Sequence, residues 1–329
     1  MSIYPLKYIS LKKIVNLVKV FACYYLSILL RKVIVLGNPY SLTTEPTNKC
    51  NLQCLECPTG NKSSTRTKGD IDFENYKNII DEVKNFVIYQ MIYFQGEPFL
   101  NPDFFKLIKY ADQNKIITST STNGHFLSEE NCHKIIQSGL KKILISLDGT
   151  NQKTYEKYRI GGDFEKVTKG IKTLLEVKKT TKSKFPFINL QFLVFKHNQH
   201  QIKEIKQLAK SLGVKLELKS AQVENFQANS ELIPSIKKFS RYDNFFHIKS
   251  KLPSKCIRIW STLVVSWEGK VVSCCFDKNL KHQFGNTRTQ SVLDIWKSNE
   301  FNTFRKNILI HRKKILICSN CSEGLRINY

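Results

Sequence analysis

Acid is what this chain lacks most for its size. It carries 27 Asp and Glu against 52 Lys and Arg, a formal net charge of +25. Such an excess suits an anionic partner, either nucleic acid or anionic lipid. The chain also lacks any long block of consecutive basic residues, however. Lysines spread over the whole length favour solvated helix faces over a nucleic-acid footprint. A leader cleavage signal is missing too. No small-x-small site follows the apolar stretch LKKIVNLVKVFACYYLSILLRK near the amino terminus. That stretch also falls short of an uninterrupted membrane span of about 20 apolar residues, because Asn16 and Lys19 break it. The last absence is the most informative. In CNLQCLEC, Cys50, Cys54 and Cys57 lie within eight residues, and no fourth cysteine stands nearby. A tetrahedral zinc site wants four ligands and a redox dithiol two, so three thiols need another account.

The 329 residues are 41% hydrophobic, enough to bury a sizeable core as one large domain or one large and one small. On a helical wheel the N-terminal stretch places Lys12, Asn16, Lys19, Cys23, Ser27 and Arg31 on one narrow polar stripe. A helix of that kind either lies in a membrane interface, with its lysines at the headgroups, or packs on the protein's own body. Residues 1–40 are assigned to this amphipathic helix.

From residue 41 short β-rich runs alternate with helical stretches. The runs are 41–47, 90–94, 115–122, 141–147, 187–195 and 213–219. Between them lie expected helices at 72–86, 101–113, 128–138, 151–158 with 163–179, and 200–211. Ser128 looks like a helix start, and Gly139 and Gly213 like stops. Repeated β-then-α units predict an α/β fold with a parallel sheet and right-handed crossovers. An open doubly wound sheet and a partial barrel both fit. In either, function gathers at the carboxyl ends of the strands. Four loops at such ends stand out: the one with the three thiols, Gln95-Gly96-Glu97-Pro98, Thr122-Asn123-Gly124, and Asp148-Gly149.

Three thiolates can hold three irons of a four-iron, four-sulfur cube and leave the fourth iron open to a small molecule. The competing reading is a zinc site completed from afar by His125 or His133.

The run TNKCNLQCLECP resembles the signature of the radical S-adenosylmethionine (SAM) superfamily. The resemblance implies a partial (β/α)6, TIM-like barrel and a 4Fe-4S cluster held by Cys50, Cys54 and Cys57. S-adenosylmethionine would chelate the open iron. An electron from the reduced cluster would split it to methionine and a 5′-deoxyadenosyl radical, which takes hydrogen from substrate. An electron donor such as a flavodoxin or ferredoxin is then implied. Gln95-Gly96-Glu97-Pro98 resembles the family's GGEP segment, which approaches the methionine amino group. Ser121 to Gly124, with Asn123, resembles its STNG loop. Ser146 and Asp148 resemble positions near the ribose and carboxylate. Arg159, in YRIGG, resembles an arginine that pairs with the methionine carboxylate, a role its planar fork suits.

The carboxyl-terminal part, residues 240–329, has another character. Cys256 precedes an expected hairpin, TLVVSWEGKVVSC, turning at Glu268-Gly269; Cys274 and Cys275 end it. A helix in SVLDIWKSNEFNTFRKN follows, then Cys318 and Cys321. Four thiols in that order fit either an iron–sulfur cluster or zinc. The order of Cys256, Gly269, Cys274, Gly285-Asn286, Ile295-Trp296 and C-x2-C resembles the SPASM/twitch extension of radical SAM enzymes. It implies one auxiliary 4Fe-4S cluster on Cys256, Cys318, Cys321 and either Cys274 or Cys275. Asp277 sits two residues beyond the place where some relatives carry a basic Asp. The core barrel would be residues 41–225.

The expected activity is radical cleavage of S-adenosylmethionine in the cytoplasm, acting on a small molecule, peptide or glycan in a net oxidation or modification. The N-terminal helix would suit a membrane surface and a lipid-linked substrate. A second reading, RNA modification, needs basic residues clustered at the barrel mouth; a third is a non-enzymatic iron–sulfur or zinc module.

Overall fold

A computed structural model describes residues 6–249 and 252–321. A helix, α1 (Leu11–Leu30), precedes the sheet. The strands β1 (Ser41–Thr44), β2 (Tyr89–Met91), β3 (Ile117–Thr122), β4 (Lys142–Ser146), β5 (Phe187–Val194) and β6 (Lys215–Ser220) form a parallel sheet in sequence order. The helices α2 (Phe73–Val83), α3 (Phe104–Gln113), α4 (Glu129–Ser138), α5 (Gln152–Tyr155), α6 (Phe164–Thr180) and α7 (Ile202–Ser211) lie between them. This is the partial barrel, with β6 at its free edge.

Local chemistry sets the element boundaries. The Asp72 carboxylate accepts from the Asn75 amide and starts α2. Tyr76, Ile79, Ile80 and Val83 then recur at helical spacing and are all buried. Each such side chain contributes about 1.5–3 kcal/mol of transfer free energy. Ser128 caps α4 as expected, and Gly139 ends it in a left-handed conformation, φ +81°. The central strands are buried along almost their whole length, as a parallel sheet covered on both faces requires. β3 is nevertheless all Ser and Thr after Ile117, so its buried hydroxyls need partners. Thr120 donates to the Ile92 carbonyl at 2.9 Å.

The carboxyl-terminal hairpin joins the same sheet. After two short helices, α8 (Phe226–Asn229) and α9 (Arg258–Ser261), β7 (Thr262–Val265) pairs in parallel with β1, Leu263 opposite Leu42. β8 (Lys270–Val272) and β9 (Gln283–Asn286) extend it antiparallel. Then α10 (Val292–Lys297), α11 (Asn299–His311) and α12 (Leu316–Ser319) pack back on the barrel. Trp260 and Trp296, both buried, donate their indole N–H groups to the carbonyls of Ile34 and Gly37. They thereby fix the segment between α1 and β1.

α1 lies across the amino ends of the strands. Its segment meets the residues just before four of them. Asn16 bonds the Asn38 backbone near β1, and Lys13 reaches the Lys115 carbonyl near β3. The Tyr8 ring sits under the Lys141 ammonium near β4, and Tyr24 packs edge-on against Trp260 near β7. The barrel mouth, where the four marked loops lie, is the opposite end.

Candidate active site

At that mouth the loops are locked to one another by the chain's own bonds. Gly96, at φ +74°, lets the loop after β2 lie directly on the cysteine loop. A Cβ there would stand 2.6 Å from the carbonyl oxygens of both Lys49 and Thr47. The Glu97 amide donates to the Lys49 carbonyl at 2.7 Å. The Glu97 carboxylate, fully buried, accepts from the Thr122 hydroxyl at 2.7 Å and the Asn123 amide at 2.8 Å. Burial pushes its carboxyl up to about 7, against the pull of those donors. The Asn123 side chain donates to Asn51 Oδ1 at 2.8 Å, closing the ring back onto the cysteine loop.

Arg159 is held by Asp148. Its Nε donates to Asp148 Oδ2 at 2.7 Å, and its Nη1 lies 3.6 Å from Cys54 Sγ. The other Asp148 oxygen accepts from the Leu193 amide at 2.6 Å. Burial works against the Arg159 cation, but the Asp148 carboxylate and the Cys54 sulfur more than offset it and hold the guanidinium charged. Burial also raises the Cys50 thiol to about 11, and it raises Cys54 despite the nearby Arg159. Metal binding at such thiols must release their protons.

The sequence-marked residues converge unevenly. A cavity of about 170 Å3 is lined by Cys50, Cys54 and Cys57, by Gln95, Gly96 and Glu97, by Ser121 and Asn123, and by Ser146 and Arg159. Pro98 and Asp148 are not in its wall. Pro98 opens a buried turn, and Asp148 acts on Arg159. Leu52, Tyr93, Phe94, Thr122 and Tyr158 complete the wall. Sequence reasoning marked Thr122 in its loop and passed over the other four as site residues, although each adjoins a marked residue or lies near a strand end. The histidines do not serve the thiols. His125 Nε2 accepts from the Asp163 amide at 2.8 Å, and its Nδ1 lies 3.0 Å from Asn123 Oδ1. His133 is on α4. Among the described residues, no three Cys, His, Asp or Glu side chains converge on a point where one ion would sit. Thiols splayed round a cavity fit a cube of four irons better than zinc, which needs ligands about 2.3 Å away.

A larger cavity, about 950 Å3, opens from Cys57 and Gln95 toward Phe276 and Lys278, just past the hairpin cysteines. The carboxyl-terminal part holds the second thiol group. Cys256, Cys318 and Cys321 are buried. Cys274 lies within electrostatic reach of Cys275, Cys256 and Cys321, and Cys275 lies within reach of Tyr93 as well. Arg312 is buried among these sulfurs, and sequence reasoning missed it because RKK reads as an ordinary basic helix end. It donates to the carbonyls of Pro253 and Lys255, and its Nη2 lies 3.8 Å from Cys321 Sγ. The Asp277 oxygens accept from the amides of Lys281 and His282, so this carboxylate holds a turn.

A parallel partial barrel with three thiols at its carboxyl end, and a second thiol group in its carboxyl-terminal part, has the architecture of a cluster-dependent radical enzyme. Residues 44–212 match the profile of the Radical SAM superfamily, and residues 256–322 that of the SPASM iron–sulfur cluster-binding domain. The chain belongs to the radical SAM superfamily, whose members use a 4Fe-4S cluster and S-adenosylmethionine; its SPASM domain brings auxiliary iron–sulfur binding. It is 27% identical to the tungsten-containing aldehyde ferredoxin oxidoreductase cofactor-modifying protein of Pyrococcus furiosus, over 85% of this chain and 86% of that one. It is 32% identical to the AdoMet-dependent heme synthase of Methanosarcina barkeri, over 53% of this chain and about half (48%) of that protein. Its fold resembles BtrN in complex with AdoMet and 2-DOIA, with a TM-score of 0.56, 20% identity, and 88% and 94% of the two chains covered. Streptococcus suis SuiB bound to S-adenosylmethionine gives 0.63 at 15% identity, covering 82% of this chain and 68% of that one.

Proposed function

We propose that this enzyme carries out a net oxidation of a substrate bound in the 950 Å3 cavity, with one auxiliary cluster as electron acceptor. The observation that carries the reading is the run of this cavity from Cys57 and Gln95 to Phe276 and Lys278, residues that follow the hairpin cysteines directly in the chain. It lets one substrate face both centres. Cys50, Cys54 and Cys57 would hold the catalytic 4Fe-4S cluster, which when bound supplies the electron that cleaves S-adenosylmethionine.

The chain's own groups then have defined tasks. Glu97 and the Gly96 backbone would receive the cofactor's ammonium, and Arg159, oriented by Asp148, its carboxylate. Ser121, Asn123 and Ser146 would bond the ribose and the rest of the cofactor. Cys256, Cys318, Cys321 and one of the hairpin pair would hold the auxiliary cluster; Cys274, which lies within reach of Cys256 and Cys321, is taken as the fourth ligand. Lys206, Lys219, Lys238, Arg241 and Lys278 line the larger cavity against Glu56 and Glu217, which suits a substrate with anionic groups such as a peptide or an acidic sugar. A flavodoxin or ferredoxin would supply electrons. All ten cysteines are free of disulfides, which fits the reducing cytoplasm.

Anaerobic reconstitution tests this. About eight irons and eight sulfides per chain are expected, and 5′-deoxyadenosine should form on adding dithionite and S-adenosylmethionine. Four irons with zinc would remove the auxiliary-cluster claim; intact S-adenosylmethionine would remove the activity. RNA binding that weakens steeply with salt would favour an RNA substrate instead.

A further inference from the structure

Helix α1 presents its faces in the reverse of the usual order for a surface helix. The side turned to the protein carries Lys13, Asn16, Cys23 and Ser27 together with the core residues Val20 and Tyr24. Asn16 exchanges two hydrogen bonds with the Asn38 backbone, at 3.0 and 2.8 Å. The Ser27 hydroxyl exchanges two with the Ile34 backbone, and Cys23 Sγ receives the Leu36 amide. These side chains satisfy a segment, 34–38, that has no strand partner. The side turned to solvent is apolar. Leu11 is 76% exposed, Val18 62%, Tyr25 63% and Leu29 77%. Ile14, Val15, Leu26 and Leu30 continue the same face. A helix of this length makes the strip about 30 Å long, more than scattered surface leucines account for.

The charge around the strip has one sign. Residues 1–44 contain six Lys and Arg and no Asp or Glu. Lys12 and Lys19, seven apart and both exposed, stand along one edge of the strip; Lys7, Arg31 and Lys32 stand at its ends. A second copy of the chain docking on this face would bring cations against cations. A surface that is apolar inside and anionic at its boundary meets both features at once. We infer that the exposed face of α1 docks the enzyme on an anionic lipid bilayer. The helix lies in the plane of the interface and cannot cross it, because leaving the body would strand the Asn16, Ser27 and Cys23 bonds. Since α1 covers the amino ends of the strands, the barrel mouth points away from the bilayer. The substrate therefore reaches the site from the aqueous side.

The test uses the full-length holoenzyme in vesicle flotation. Vesicles of phosphatidylcholine with phosphatidylglycerol should retain about tenfold more protein than phosphatidylcholine alone, and high salt should release it. The triple variant Leu11→Glu, Val18→Glu, Leu29→Glu should lose that binding by about tenfold or more while keeping the wild-type circular dichroism, melting temperature and iron content. In the variant Tyr25→Trp, brominated lipid should quench the new indole emission on binding. Equal recovery with and without anionic vesicles, or indole emission at that position blind to brominated lipid, overturns the proposal. So does a concentration-dependent dimer in sedimentation that the triple variant dissolves, since a second copy would then be the occupant.

Discussion

Replacing Asp148 with Asn changes one oxygen to a nitrogen and little else in shape, so the effect isolates the charge. Asp148 is fully buried. One oxygen takes the Arg159 Nε–H at 2.7 Å and the other the Leu193 amide at 2.6 Å. In Asp148→Asn the amide oxygen can still serve one of these donors. Its NH2 then faces the other donor, and the Arg159 guanidinium keeps its charge with no counter-ion. Breaking a buried pair from one side costs about 3–5 kcal/mol, a large share of the roughly 5–15 kcal/mol that holds a domain folded. The exposed pair Lys134–Glu130, at 2.6 Å on α4, is the internal control. Lys134→Ala should cost no more than about 0.5 kcal/mol. Urea unfolding of the cluster-free proteins, followed by circular dichroism at a common slope, measures both. A second readout follows from the reconstituted enzyme. With Arg159 released, S-adenosylmethionine affinity should fall by about tenfold or more, an effect that a purely structural Asp148 would not have. If Asp148→Asn unfolds within about 1 kcal/mol of wild type, the Asp148–Arg159 pair does not bear the weight assigned to it.

Gly96→Ala forces a left-handed residue to carry a Cβ, at about 1–2 kcal/mol, and drives it against two backbone carbonyls. Iron loading at the first site should fall sharply, as read by iron content in a variant lacking the carboxyl-terminal cysteines. Cys274→Ser should lower bound iron by about four per chain and Cys275→Ser should leave it unchanged, as iron analysis will show; the reverse result would exchange their roles. Arg312→Met removes a buried cation beside the auxiliary thiols, and since a cation favours the more negative, reduced state, the auxiliary midpoint potential should shift down in a redox titration followed by electron paramagnetic resonance. Chelating the iron should cost hydrogen-exchange protection around Cys318 and Cys321 before it costs any in β3, because the loops at the mouth are tied by bonds of their own.

Much of the barrel was legible because its signals are local. Each expected β-run contains an observed strand or, in the second and the last, overlaps one. The caps at Ser128 and Gly139 came from residue types that allow few alternatives. Expected helix 101–113 begins only at Phe104, because the Asn101 side chain is spent on the carbonyls of Pro46 and Ile71. The hairpin was legible as a hairpin, but not its place. Its turn is a property of Glu268-Gly269, whereas its pairing with β1 joins residues far apart in the chain, Ser41 with Thr262. The polar stripe of α1 was visible, yet not that it would divide, with Asn16, Cys23 and Ser27 turned to the protein and Lys12, Lys19 and Arg31 left exposed. Asn16 and Ser27 look like solvent residues until the unpaired backbone at 34–38 is seen to need them. Spacing marked the thiols and the family resemblance marked Arg159, but the part Asp148 plays through Arg159, and the burial of Arg312, are three-dimensional facts.

The two ends of the barrel follow from one constraint. A parallel barrel leaves its loops free to vary only at the strand ends, and here both ends are committed. At the carboxyl end, Glu97 binds the third loop, Asn123 binds the first, and Asp148 binds both Arg159 and β5. The mouth therefore has its shape before any cofactor enters, and the cost of ordering it is met in folding rather than in binding. At the amino end, the polar face of α1 supplies the hydrogen bonds that the entering chain cannot find in a sheet, and that use of its polar residues is what turns the apolar face outward. The exposed strip of leucines is thus the counterpart of a satisfied backbone on the other side of the same helix. Substituting Asn16 or Ser27 would disturb the barrel floor, while substituting Leu11 or Leu29 would leave it alone, and only the second pair can report on what α1 touches outside the protein.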